Sequence, residues 1–202
     1  MSNPQGPTES TGHWAVIGRG PSVRRRQLPA DVTVVRCNHY GGLPTDYVMV
    51  VEKDAVIAYE ADLRAAIAAG VPVVAAWDYR VPKNMPTAYQ HAYNVLGMDV
   101  VKLQVESWGT PGYHERYPFH ATCGAVALQW AVSRGARHLH VVGFDGYDAS
   151  AAAGGLQRRN IRMNKWQCEV IEGIVQAHWP EVHMTFYGRP CYPLSPEIKV
   201  IE

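Results

Sequence analysis

The residues best suited to chemistry stand in two short runs near the start of the chain. The first is Trp14-Ala-Val-Ile-Gly-Arg-Gly-Pro-Ser22 and the second is Val32-Thr-Val-Val-Arg-Cys-Asn38. Each is an apolar stretch of strand length that ends in polar or turn-forming residues: Gly18, Arg19, Gly20, Pro21 and Ser22 in one, Arg36, Cys37 and Asn38 in the other. Gly18 and Gly20 allow a sharp turn and close approach of the backbone to a ligand. Pro21 suits the first position of a helix, Ser22 offers a hydroxyl to phosphate or ribose, and the free N–H groups of a following helix favour an anion. The carboxyl ends of parallel strands form ligand crevices, so two such ends point to a phosphorylated ligand, a nucleotide first. The run is not a Walker phosphate loop, which requires Lys-Ser/Thr directly after its second glycine. It is not a full dinucleotide fingerprint either, because Val23 stands where the third small residue belongs.

A further strand-like segment, residues 138–142, runs into Gly143-Phe-Asp145-Gly-Tyr-Asp148. Asp145 and Asp148 are of the right type for a divalent metal. Their spacing is not Asp-x-Asp and no third ligand accompanies them, so Asp145 is read as a cap for backbone N–H groups and Asp148 as solvated. No metal is assigned. Two basic clusters stand out: Arg24-Arg25-Arg26, read as a solvated face, and Arg158, Arg159 and Arg162, read as lying beside the crevice, where phosphate or acceptor would meet them.

The elements that must position these residues alternate along the chain. Strands are expected at 13–17, 33–36, 47–51, 72–76, 100–105, 138–142 and 183–187, and helices at 21–27, 54–69, 86–95, 122–133 and 163–177. Continuous apolar strands between amphipathic helices predict a three-layer α/β, Rossmann-like domain with a mostly parallel sheet covered on both faces. Two long connections, 106–121 and 146–162, both follow strands; the second is expected to be a short lid loop. Residues 1–11 are polar and rich in Pro and Gly and are read as a disordered leader, leaving 12–202 as a single domain. Hydrophobic content of 47% with 18% charged residues marks a globular chain, and 19 basic against 18 acidic residues give no global attraction to nucleic acid or membrane. The four cysteines form no Cys-x-x-Cys pair, and scattered thiols suit a reducing cytoplasm. No apolar run approaches 18 residues, so no transmembrane segment is expected.

Taken in order, these segments resemble the bacterial sialyltransferases of glycosyltransferase family 42. The resemblance rests on Gly18-Arg19-Gly20-Pro21-Ser22, Arg36-Cys37-Asn38, Thr122-Cys123-Gly124 opening a helix, Gly143-Phe144-Asp145-Gly146-Tyr147 after a strand, and Cys191-Tyr192-Pro193-Leu194-Ser195 near the end. It implies transfer of a sugar from a nucleotide-sugar donor, CMP- or UDP-linked, without a metal and without a separate cofactor. By position, Gly20, Ser22 and Asn38 would bind the nucleotide, with Thr122, Cys123 and Gly124 close to the donor, and Tyr147 would hydrogen-bond the departing phosphate. Three departures stand out. Arg19 replaces the family's Asn and is able to pair with a phosphate bidentately. Cys123 replaces a Ser. The position of the family's lid His falls near Arg162, which cannot act as a base.

The base for the acceptor hydroxyl must then come from elsewhere. Of nine histidines, His13, His138 and His140 lie on strands, His91, His178 and His183 read as surface or packing positions, and His39, after Asn38, reads as lying at the crevice rim. His120, two residues before the Thr122 helix start, is the first choice, His114 in the same connection the second and Asp148 the third. Trp108, Tyr113, Tyr117 and Phe119 surround those histidines in sequence, suited equally to stacking and to anchoring the loop. The expected acceptor is a glycan. One alternative is a hydroxylated nucleobase in DNA, of the phage type, with Arg158, Arg159 and Arg162 meeting phosphates. The other is a nucleotide-binding module without catalysis.

Overall fold

A computed structural model describes residues 12–25, 28–77, 87–97, 100–104, 122–148 and 154–202. In chain order its elements are β1 (His13–Ile17), a 3-10 turn (Pro21–Arg25), β2 (Thr33–Cys37), β3 (Tyr47–Val50), α1 (Lys53–Ala58), α2 (Glu60–Ala68), β4 (Val73–Trp77) and α3 (Ala88–Leu96). There follow β5 (Val100–Gln104), α4 (Cys123–Ser133), β6 (His138–Val142), α5 (Gly154–His178), β7 (His183–Tyr187) and β8 (Lys199–Ile201).

The strands form one eight-stranded sheet in the order β5-β4-β3-β2-β1-β6-β7-β8, and all seven pairings are parallel. The three-layer α/β expectation is met, with every strand parallel. The chain builds outward from β1 to β5 and then returns to place β6 on the other side of β1. That reversal makes the carboxyl ends of β1 and β6 the switch point at which open α/β sheets bind ligands.

Side-chain alternation sets the two layers. Trp14, Val16, Val35, Cys37, Met49, Leu139, Val141, Met184 and Phe186 face α4 and α5 and form the larger core with Leu128, Trp130, Ile171 and Ile174. Val48, Val50, Val73, Ala75 and Val100 face the other way and pack beneath α1, α2 and α3. Helix α4 is apolar nearly all round because it is buried nearly all round, from Cys123 to Ala131. Helix α3 begins with a capping box in which Thr87 Oγ1 accepts from Gln90 N–H (3.1 Å) and Gln90 Oε1 accepts from Thr87 N–H (2.8 Å).

Three expectations are corrected. The helix expected over 21–27 is a five-residue 3-10 turn. The helix expected over 54–69 breaks at Tyr59, whose backbone lies outside the helical region (φ −119°, ψ 19°). The stretch expected as a lid loop over 146–162 is helical from Gly154 onward. Its first two turns, residues 154–159, are exposed on every side, so they carry no apolar stripe by which periodicity would reveal them. Strand β8 was not anticipated: it is three residues long at the sheet edge and follows a Pro-rich segment.

At the amino-terminal end of β1, β6 and β7, His13, His138 and His183 stand in register across the sheet. His13 stacks on His138 with ring centroids 4.3 Å apart. His13 Nδ1 lies 3.2 Å from His140 Nε2, and His140 Nδ1 lies 3.0 Å from the Tyr187 hydroxyl. Burial lowers the basicity of His138 and His140, and neighbouring imidazoles add to it. The unfolded chain therefore binds more protons on these rings than the folded protein. Their stabilising effect is complete above about pH 6.5, the ordinary histidine value, and declines as pH falls below it. Urea midpoints measured at pH 7.5 and pH 5.5 are expected to show lower stability at the acid value, with a smaller drop in His140→Gln.

Candidate functional site

Two strand ends meet at the switch point. Gly18 N–H donates to Val142 O (2.7 Å) and Gly20 N–H to Gly143 O (2.9 Å), so the turn after β1 is hydrogen-bonded to the end of β6. A Cβ on Gly18 would collide with the Gly143 carbonyl, and one on Gly20 with Asp145 and, at 2.8 Å, with Gly143 O. These glycines therefore serve backbone-to-backbone contact first, and their N–H groups are already engaged. Ser22 completes the join. Its hydroxyl donates to Asp145 Oδ2 (2.9 Å) and accepts from Gly143 N–H (2.9 Å), while its own N–H reaches the same Asp145 oxygen (3.2 Å). Asp145 is the cap that its sequence position suggested. Asp145→Asn, which leaves the Ser22 hydroxyl and N–H to share a weaker acceptor, is expected to cost about 1–3 kcal/mol in denaturant unfolding.

The anion-binding role read into the 3-10 turn shifts to α4. Thr122 caps that helix, its Oγ1 accepting from Ala125 N–H at 3.2 Å. The N–H groups of Cys123 and Gly124, in the first turn, have no intrahelical acceptor. Both residues line the cleft, which makes this the end at which a phosphate is favoured. Gly124 is needed there because a Cβ would run into the Phe144 ring. Beneath it, the Cys123 thiol donates to Met49 O (3.1 Å) and faces Cys37; burial raises its pKa well above the usual thiol range. Asn38 follows β2 in a left-handed conformation (φ 70°), and its Oδ1 is buried with no partner among the described residues. A buried carbonyl oxygen left unpaired beside a cleft is uncommon and calls for a partner.

Tyr147 closes the cleft from the β6 side. Asn164 of α5 holds its backbone from both directions: Tyr147 N–H donates to Asn164 Oδ1 (2.7 Å) and Asn164 Nδ2 donates to Tyr147 O (2.8 Å). Burial raises the Tyr147 pKa, and the Glu52 carboxylate adds to the rise while Arg159 opposes it. The phenol thus stays protonated and able to donate. On the opposite side the Arg19 guanidinium lies over the Tyr59 ring, 4.9 Å from its centroid.

The cleft enclosed by these groups has a volume of about 390 Å³, within the range of small-molecule sites. Gly18, Arg19, Gly20, Asn38, Thr122, Cys123, Gly124 and Tyr147 line it, and so does Gln167 of α5. Pro21, Ser22 and Asp145 stand behind the lining. Arg36 is buried on the face of β2 opposite Cys37, with its Nε unpaired among the described residues and its pKa lowered by burial. Arg158, Arg159 and Arg162 ride on the first turns of α5, Arg162 over the Trp166 ring (5.7 Å). Asp148 is exposed, and its carbonyl accepts from Asn160 Nδ2 at 2.7 Å. His114 and His120 lie outside the described residues, as do Trp108, Tyr113, Tyr117 and Phe119. Among the described residues no three His, Cys, Asp or Glu side chains gather as a metal site. None of their helices is long and apolar enough to cross a membrane.

Sequence reasoning missed Gln167, which lines the cleft from α5, and Tyr59, whose place under Arg19 depends on the helix break.

No protein-family model and no curated protein matches the sequence. Solved structures do. The monofunctional α-2,3-sialyltransferase Cst-I from Campylobacter jejuni superposes with a TM-score of 0.64 at 14% identity, over 98% of this chain and 85% of that one. Sialyltransferase CstII from Campylobacter jejuni, solved with the substrate analogue CMP-3FNeuAc, gives 0.54 at 13% identity, over 87% and 79%. CstII in complex with a trisaccharide acceptor and CMP gives 0.57 at 13% identity, over 86% and 80%. The chain therefore has the fold of the Campylobacter jejuni sialyltransferases.

Proposed function

We propose that the protein is a glycosyltransferase that binds a nucleotide sugar, CMP-linked in the first instance, and passes the sugar to a glycan hydroxyl. The observation that carries this reading is the pairing, on one cleft, of the open N-terminus of α4 with the unpartnered Oδ1 of Asn38. The first suits a phosphate and the second suits a donor on ribose or base. The shared fold supports it, since CstII was solved with CMP and with a trisaccharide acceptor. Arg19, held over Tyr59, adds a cation at the cleft wall.

In the transfer, negative charge grows on the departing phosphate. Groups aimed at that charge lower the barrier. Here these are the N–H groups of Cys123 and Gly124 and the Tyr147 hydroxyl, whose backbone Asn164 fixes. They provide electrostatic stabilisation from the chain's own residues, so the reading is a metal-independent one. Release of CMP from CMP-sialic acid, compared with release of UDP from UDP-glucose, tests it. Turnover of the CMP donor in excess EDTA at the untreated rate is expected. Activity lost in EDTA and restored by manganese would contradict the metal-independent route. CMP binding without turnover of either donor would favour the non-catalytic module.

A further inference from the structure

Gln167 stands at a core-facing position of α5. Val170, Ile171 and Ile174, three, four and seven residues on, belong to the main core, and that spacing puts all four on one helix face. Gln167 is itself only 7% exposed. Its amide nonetheless makes no hydrogen bond to any described residue. A buried amide carries two donors and an acceptor that need partners. Gln167 lines the cleft, so the cleft is where its partners must come from. Residues that break a local pattern without a structural return tend to be functional.

The other landmarks of the cleft follow an order. Asn38 N–H and the Cys123 thiol both donate to Met49 O, at 2.8 and 3.1 Å, which sets Asn38 beside the first residue of α4. One residue on, Gly124 packs against the ring of Phe144, which follows β6. The first turn of α4 therefore bridges from the β2 side of the cleft to the β6 side. Gln167 stands at the far end. Asn164, one turn before it on α5, holds the backbone of Tyr147 from both directions and so fixes Gln167 beside the segment after β6. Across the cleft come Asn38, then the open helix end, then Gln167. A nucleotide sugar carries nucleoside, phosphate and sugar in the same order. The wall made by Gly143, Phe144, Gly146, Tyr147 and Gln167 has no charged side chain. A neutral amide that both gives and takes hydrogen bonds suits hydroxyl groups, whereas a second phosphate would call for a cation.

We infer that Gln167 is the residue that recognises the transferred sugar, an assignment that rests on the nucleotide-sugar reading. Its Oε1 accepts from one sugar hydroxyl and its Nε2 donates to a neighbouring oxygen. The sugar then lies against α5 and the segment after β6, with the phosphate behind it at α4. A donor whose sugar lacks those oxygens leaves the buried amide unpaired and is disfavoured for that reason.

Calorimetry with two ligands tests it: CMP, and CMP-3FNeuAc, which carries a sugar on the same nucleotide. Gln167→Met keeps the length and bulk of the side chain and removes its polar atoms, so the helix face stays filled. The variant should bind CMP within about twofold of wild type and CMP-3FNeuAc about tenfold more weakly, the effect of losing hydrogen bonds to the sugar alone. Its urea midpoint should be no lower than that of wild type, because an apolar group replaces an unpaired buried amide. A clearly lower midpoint would mean that the amide serves the fold, and would overturn the assignment. So would equal losses for both ligands, no loss for either, or a wild-type protein that binds CMP but not CMP-3FNeuAc; each of these leaves the nucleotide reading standing. A wild-type protein that binds neither ligand would remove that reading and the sugar contact together.

Discussion

Tyr147→Phe is expected to slow donor turnover by about 10²–10³-fold, the usual cost of removing one donor aimed at developing charge. The substitution keeps the ring and takes away only the hydroxyl. Asn164 grips the backbone of residue 147, not its side chain, so placement should be unchanged. CMP affinity should change little, because the interaction strengthens only as the phosphate departs. Steady-state kinetics check this: kcat should fall with KM within about threefold. A large rise in KM at unchanged kcat would make Tyr147 a ground-state contact. Asn164→Ala should reproduce part of the loss by freeing the segment that carries the phenol.

The largest effect on stability is expected at Gly18. Its N–H bonds Val142 O at 2.7 Å, and a Cβ would meet the Gly143 carbonyl, which is backbone. Neither partner is a flexible side chain able to step aside. Gly18→Val forces β1 and β6 apart at the switch point and is expected to cost about 3 kcal/mol. It should weaken nucleotide binding as well, because the same turn lines the cleft. Urea unfolding and a CMP titration check the two effects. Gly70→Ala is a useful comparison: unlike Gly18, Gly70 has positive φ (77°), and a Cβ there meets nothing within 4 Å. It should show only the backbone strain of a left-handed residue, about 1–2 kcal/mol, with CMP binding intact.

Much of the site was readable because a parallel sheet gathers strand ends. Gly18–Gly20, Asn38, Thr122-Cys123-Gly124 and Tyr147 are scattered along the chain, yet each sits where a strand stops or a helix starts, and all line one cleft. Their shared place follows from topology alone. The unread features depend on contacts that sequence does not order. Ser22 looked like a phosphate ligand, yet its hydroxyl is engaged by Gly143 and by Asp145, 123 residues away. The 3-10 turn looked like an anion-binding helix start until its N–H groups were found in use.

The proposed occupant of this cleft is a cytidine nucleotide, with its phosphate at α4 and a donor group on Asn38. Calorimetric titration of CMP into wild type and into Asn38→Ala tests it most directly. Saturable binding to wild type with one site, weakened about tenfold in Asn38→Ala, is the predicted result; a tenfold change is about 1.4 kcal/mol, in the range of one hydrogen bond to a buried group. No binding to wild type, or equal binding to both proteins, would contradict it.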